Sequence, residues 1–516
     1  MVADLALINA NVRTMNPRQP VAQAVAIRKN KIIKVGTNQA VSKLIGKSTK
    51  VISLDGKTVV PGLIDTHIHV ADFGRCLLWL DLTSVDSIKQ LQSSIREKAK
   101  EIPAGKWIIG RGWNQNRFKE KRLPNLSDLN EAALHNPVIL YHETAMMCAV
   151  NGKALGLACV TQQTAEPSGG TMDKDPQTGE LTGILRDSAT NLVWQAVPEP
   201  SIDELSEATA LACQEITKAG LTSVHWMILS EIELALIQRL HADGKLPVRV
   251  NVIVPEAFLK QTAGFQSTDT LMLHVGGVFI AVDGYLDSKT AALLEPYSDE
   301  LNNSGNLLFT EEALASLVAD VVAAGFQPII HAMGDKAVDV ALGVIEQTSK
   351  QKNVRFRIEQ AAILNKQLVG RLKTLGVVIT VQPKVITTEF AVWSATQHVG
   401  LERAEWLHPL KTLLKAGVKV AGGSDCPMEP LSPLLGMQEV VERERFVEQR
   451  LSAEEALRMY TLDAAYASGE ETAKGSIEEG KLADLTVLSS DPTAVKLSEI
   501  KNVKVDMVII DGKVLR

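Results

Sequence analysis

Val59-Val60-Pro61-Gly62-Leu63-Ile64-Asp65-Thr66-His67-Ile68-His69 is the stretch on which the fold reading turns. An apolar, β-branched run ends in two histidines separated by one residue. On a β-strand, residues two apart face the same side. His67 and His69, at the carboxyl end of such a strand, can therefore act as adjacent ligands of one cation. Zinc commonly takes imidazole nitrogen, and (β/α)8 barrels carry their active sites at the carboxyl ends of the strands. An incidental His-X-His also occurs, so the pair gains meaning only from its context.

That context repeats the same grammar. Strand-like segments are predicted at Thr58–Asp65, Ser223–Trp226, Pro247–Val254, Val278–Asp283, Pro328–His331, Arg355–Gln360, Val377–Gln382 and Lys419–Asp425. Helical patterns separate most of them, among them Ile202–Ala219, Thr310–Ala324, Lys336–Ser349, Asn365–Leu375 and Trp406–Ala416. Strand–helix alternation implies a parallel sheet, and eight repeats suit a closed barrel. Two of these strands end in further ligand types, His331 and Asp425. His67, His69, His331 and Asp425 make a four-residue set of the kind that activates water. A histidine bonded to backbone and a helix N-cap are the structural alternatives for His331 and Asp425.

The two ends of the chain read differently. Residues 4–60 and 481–516 hold short β-rich runs, with Asp55-Gly56 and Asp511-Gly512 as tight-turn signals. A small β-domain assembled from both termini follows, over residues 1–60 plus 471–516, beside a barrel over 61–470. Some 150 residues separate the first two barrel strands, too many for a simple loop. The stretch 75–195, with a helix over Asp86–Glu101 and a strand over Val138–His142, is expected as an insertion at the barrel mouth.

Composition narrows the function. The 516 residues are 45% hydrophobic and 22% charged, with 54 basic and 60 acidic side chains and a net charge of −6. This balance lacks the footprint of a nucleic-acid binder and is too hydrophobic for disorder. Five cysteines (Cys76, Cys148, Cys159, Cys213 and Cys426) form no CxxC or zinc-finger spacing and suit free thiols in a reducing compartment. No apolar run reaches the ~18 residues of a membrane helix, and the amino terminus lacks a signal-peptide pattern. A soluble, cytoplasmic chain acting on a small molecule is the expectation.

At this point the chain resembles the amidohydrolase superfamily, within it the type-3 branch. Beside PGLIDTHIH, the resemblance rests on Gly110-Arg-Gly-Trp-Asn-Gln-Asn, Asn151-Gly-Lys-Ala-Leu, Gly183-Ile-Leu-Arg, Gly220-Leu-Thr-Ser-Val-His, Asp283-Gly284, His331-Ala-Met-Gly-Asp, Arg357-Ile-Glu, Gly423-Ser-Asp and Gly475-Ser-Ile-Glu-Glu-Gly-Lys-Leu-Ala-Asp-Leu-Thr-Val-Leu. It implies a (β/α)8 barrel with a flanking β-sandwich from both termini, metal-dependent hydrolysis, and allows a homodimer. The departures are informative. The bridging lysine of two-metal members falls on Phe279, and the sixth-strand histidine is Gln360. Asn114, Met146 and Trp226 replace an aspartate, a histidine and an aspartate of the pattern.

The resemblance therefore implies one divalent ion, most often Zn²⁺ in such sites, held by His67, His69, His331 and Asp425, with Asp425 moving the proton of the attacking water. Lys289, Gln360, Trp113, His225 and Asp283 are expected to contact substrate; for Trp113 and His225 a structural role is the alternative, and for Lys289 a surface position. His142 is a further pocket candidate, and Cys426 an inert buried thiol. The expected reaction is hydrolysis of a non-peptide C–N bond, an amide or cyclic amide. Deamination, C–O hydrolysis, or a binding protein that has lost catalysis are the alternatives.

Overall fold

Eight parallel strands follow one another as neighbours in one sheet, in chain order: β1 (Leu63–Ile68), β2 (Leu221–Met227), β3 (Arg249–Pro255), β4 (Leu273–Ala281), β5 (Gln327–Ala332), β6 (Arg357–Gln360), β7 (Val378–Val381) and β8 (Val420–Gly422). The computed structural model describes residues 2–144, 146–262, 272–349, 354–391 and 394–515. The ring closes at its carboxyl end. Ile68 and Cys426 form a parallel bridge, His69 N donates to Cys426 O at 3.0 Å and Asp425 N to His67 O at 2.8 Å. The buried Asp65 reinforces this seam by accepting from His67 N at 3.0 Å and Ser424 N at 2.9 Å.

Helices return the chain between strands as the alternation predicts: Glu231–Ala242, Glu311–Ala323, Asp335–Ser349, Lys366–Leu375 and Leu410–Ala416. Their ends follow local chemistry. Thr310 and Asn365 cap two of them by accepting from Ala313 N and Leu368 N. Gly376, at φ 64°, closes the helix over Lys366–Leu375 in the left-handed conformation that glycine adopts without strain. Among the described residues, no disulfide joins any of the five cysteines.

The segment expected as one strand over Thr58–Asp65 is two. Thr58–Pro61 pairs with Leu485–Leu488 and with Asn11–Arg13, outside the barrel. The break falls at Gly62, where a Cβ would come to 2.1 Å from Thr222 Oγ1. A sheet of six strands mixes the termini in the order Lys513–Val514, Val505–Ile510, Leu485–Leu488, Thr58–Pro61, Asn11–Arg13, Val21–Ala22. A second sheet of four is N-terminal throughout: Lys31–Gly36, Ala24–Arg28, Leu5–Ile8, Lys50–Ser53. Leu5, Val25 and Ile27 of the one share a core with Val59, Leu485 and Ile509 of the other, which makes the pair a sandwich. Asp511-Gly512 is a two-residue hairpin turn with both φ positive. Asp55-Gly56 has the same backbone but joins strands of different sheets.

The segment after β1 is a compact unit of its own over Arg75–Ala208. Its six-stranded sheet includes Ile108–Trp113 and Val138–His142, and Leu82, Leu91, Ile95, Phe118 and Leu140 form its core. The expected helix starts at Ile88, after the Ser87 cap.

Candidate metal centre

Strand alternation delivers His67 and His69 from the end of β1, and the turn after β8 delivers Asp425. Asp425 Oδ1 lies 3.5 Å from His67 Nε2 and 3.5 Å from His69 Nε2. One donor atom from each of the three falls within 4.8 Å of the others. The other ring nitrogens are engaged: His67 Nδ1 lies 3.2 Å from Glu359 Oε2, and His69 Nδ1 3.2 Å from Met227 O. Carboxylate and carbonyl oxygens only accept, so each Nδ1 carries a proton, and in the neutral ring each Nε2 presents a lone pair. Two lone pairs facing one carboxylate oxygen repel one another unless a cation stands between them. Two nitrogens and one oxygen also form the three-ligand donor set of a catalytic zinc with an open position. The residues fit a metal.

The backbone at the site is strained. Asp425 has φ 59°, Gln360 69° and Ala361 43°, left-handed values uncommon for residues with a side chain. Such outliers persist where the surroundings over-determine them, and they cluster at functional sites. Asp425 is not a helix cap: the helix that follows, Pro433–Glu442, is capped by Ser432.

Behind His67 the barrel interior is charged. Burial would raise the Glu359 carboxyl, but Arg357 and His67 hold it at about 2. Burial pulls the Arg357 guanidinium down, against the opposing effect of Glu359. His67 is also lowered by burial, yet its bond to Glu359 and the Asp425 and Glu359 charges leave it above the usual imidazole value. Burial lifts Asp65 to about 6, opposed by its bonds to Ser424 and His67.

Of the expected ligands, His331 stands apart from the other three. Its Nε2 lies 3.3 Å from Gln360 Oε1, and its Nδ1 3.7 Å from Asp283 Oδ1. The Phe279 ring is 6.2 Å from that of His67 and 6.0 Å from that of His331, an apolar group where the family pattern has its lysine.

The expected substrate contacts divide. Gln360 lines a cavity of about 370 Å³ together with His69 and Asp425. Lys289 does not: its Nζ is held by Asp299 at 3.1 Å and Glu300 at 3.3 Å. Asp283 is a structural acceptor, taking Ala292 N, Met333 N and Gly334 N at 2.9 Å each, which leaves its buried carboxylate no freedom for substrate. His225 is fully buried on β2, with Nδ1 accepting from Arg357 Nη1 at 2.9 Å. Trp113 is a core residue of the Arg75–Ala208 unit, donating to Leu140 O at 2.8 Å and packed edge-on against His142. Trp226 is buried and donates to Glu233 at 3.0 Å.

Residues passed over in the sequence also line the cavity, among them Tyr285, Asp287 and Ser288 in the loop after β4, and Met428 and Glu429 after β8. Glu359 was visible only as a letter in Arg357-Ile-Glu359. The signal available was a pair of opposite charges, Arg357 and Glu359, two apart on a barrel strand and so on one face of it.

Comparison with known proteins places this geometry. The model of a family described as "Amidohydrolase family" matches residues 50–516. YtcJ of Bacillus subtilis is 30% identical over 508 residues, covering 96% of each chain. An N-substituted formamide deformylase from Arthrobacter pascens is 30% identical over 540 residues, covering 99% of this chain and 97% of that one. Among solved structures, an uncharacterized metal-dependent hydrolase from Pyrococcus furiosus superposes with a TM-score of 0.80 at 28% identity, covering 95% of this chain and 99% of that chain.

Proposed function

Because the chain belongs to the amidohydrolase family, in its type-3 branch, it is a metal-dependent hydrolase, and we propose that it cleaves a non-peptide C–N bond, in an amide or cyclic amide of a small molecule. The observation that carries this reading is the convergence of His67 Nε2, His69 Nε2 and Asp425 Oδ1 with both Nδ1 protons already spent elsewhere. These three would hold one divalent ion, Zn²⁺ by donor type. Such an ion lowers the pKa of water to roughly 7 and polarises a carbonyl.

The remaining work falls to side chains. Asp425 takes the proton of the attacking water and delivers it to the leaving nitrogen, so that water adds to the acyl carbon, the C–N bond breaks, and an acid and an amine leave. Gln360, whose Oε1 faces His331, keeps its amide N–H groups for the substrate oxygen. It donates without charge, where a histidine could also carry a proton. A cavity of about 370 Å³ suits a small molecule. The deformylase relative acts on N-substituted formamides by its name, which supports a C–N bond as the target.

The test is amine release from a panel of N-substituted formamides, acetamides and cyclic amides. Turnover is expected for at least one, and Asp425→Asn should abolish it while leaving the circular dichroism spectrum and melt unchanged. Hydrolysis of esters or deamination of aminoheterocycles with no amide turnover overturns the C–N assignment. Normal turnover by Asp425→Asn overturns the proton shuttle.

A further inference from the structure

The charged interior of the barrel reaches His67 from the opposite wall. β6 is not a neighbour of β1 in the sheet; β7 and β8 lie between them on the closing side. Yet Arg357 Nη2 donates to Thr66 O at 2.6 Å, and Glu359 Oε2 takes His67 Nδ1. Arg357 and Glu359 form a close ion pair through Glu359 Oε1, with both side chains at 0% exposure. Arg357 is itself fixed, by Thr380 Oγ1 at 3.0 Å and His225 Nδ1 at 2.9 Å, and Gln382 Nε2 reaches Glu359 Oε2 at 3.4 Å. Two successive residues of β1, Thr66 and His67, are thus gripped by two same-face residues of β6.

His69 has no such support. Among the described residues its Nδ1 meets the Met227 carbonyl on the adjacent strand, an uncharged acceptor. A carboxylate fixes an imidazole tautomer and strengthens the opposite nitrogen as a ligand more than a carbonyl does, because the acceptor is charged.

We propose that Glu359, held by Arg357, is the positioning residue for His67: a clamp across the barrel that fixes the Nδ1–H tautomer and aims Nε2 at the metal. The proposal rests on the reading of His67 as a ligand. Glu359 touches neither substrate nor metal, so its effect is on metal affinity.

Substituting Glu359 alone would strand a buried guanidinium, so the comparison is made within Arg357→Met, where that charge is gone. Metal-free protein is titrated with Zn²⁺ against a chelator, with folding checked by circular dichroism. Arg357→Met/Glu359→Leu should bind Zn²⁺ about 10–100-fold more weakly than Arg357→Met. Arg357→Met/Glu359→Gln, which keeps an acceptor without charge, should fall between. Binding within about twofold across the folded series overturns the clamp alone. A wild-type chain that takes up no Zn²⁺ overturns the ligand reading and the clamp with it. Independently of any variant, ¹⁵N spectra of metal-free wild-type protein should show His67 protonated at Nδ1; a ring protonated at Nε2 alone overturns the proposal.

Discussion

Asp484→Asn is expected to loosen the joint between sandwich and barrel at a measurable thermal cost. Arg249, on β3, is 1% exposed. Its Nε lies 2.5 Å from Asp484 Oδ2 and its Nη2 3.0 Å from Oδ1. Asp484 O also accepts from Gly62 N at 2.8 Å, at the point where the chain passes from sandwich to barrel. Removing one partner of a buried ion pair costs about 3–5 kcal/mol, because the survivor is left uncompensated. Arg249 keeps Asp511 at 3.1 Å, a partner with a third of its side chain exposed, which argues for the lower end. With an unfolding entropy near 2.1 cal/mol/K per residue, a cooperative unit of roughly 380 residues changes by about 0.8 kcal/mol per degree. A loss of about 3 kcal/mol then lowers Tm by about 4 °C. Arg249→Met/Asp484→Leu removes both charges and should recover most of that drop. Differential scanning calorimetry at fixed scan rate is the assay. A single variant that melts within about 1 °C of wild type, or a double variant as unstable as the single, refutes the reasoning.

Lys289→Ala should leave kcat/KM within about twofold, since its ammonium is spent on Asp299 and Glu300; a loss of tenfold or more in a steady-state assay would restore it as a substrate anchor. Gly62→Ala should destabilise by about 1–3 kcal/mol in urea unfolding, because its Cβ meets Thr222 at 2.1 Å. Thr222→Ala in the same chain should return part of that loss, and its failure to do so would place the strain elsewhere.

The barrel was legible because its strands are short apolar runs ending in polar residues, a pattern dictated by burial on both faces and reactive ends. The same pattern misled at Thr58–Asp65, where two strands of different sheets read as one: Val59 and Ile64 are equally apolar, and the break falls at Gly62, where a side chain would run into Thr222. His67, His69 and Asp425 were legible because strand ends bring them together whatever the loops do. Lys289 was not, because its partners Asp299 and Glu300 lie along the same loop and nothing local reports that they fold back. Asp283 shows the reverse case. An acidic residue after a barrel strand resembles a site residue, but three backbone amides claim it. Glu359 stayed hidden because its value depends on a contact across the barrel, which no spacing along the chain encodes.

The most direct test of the central claim is the metal content of the purified protein, by inductively coupled plasma mass spectrometry on wild type and His69→Ala. One equivalent of a divalent metal is expected in wild type, lost from the folded variant. Two equivalents would contradict the reading of Phe279 and Gln360 as removing a second site, and none, after incubation with Zn²⁺, would contradict the metal centre itself.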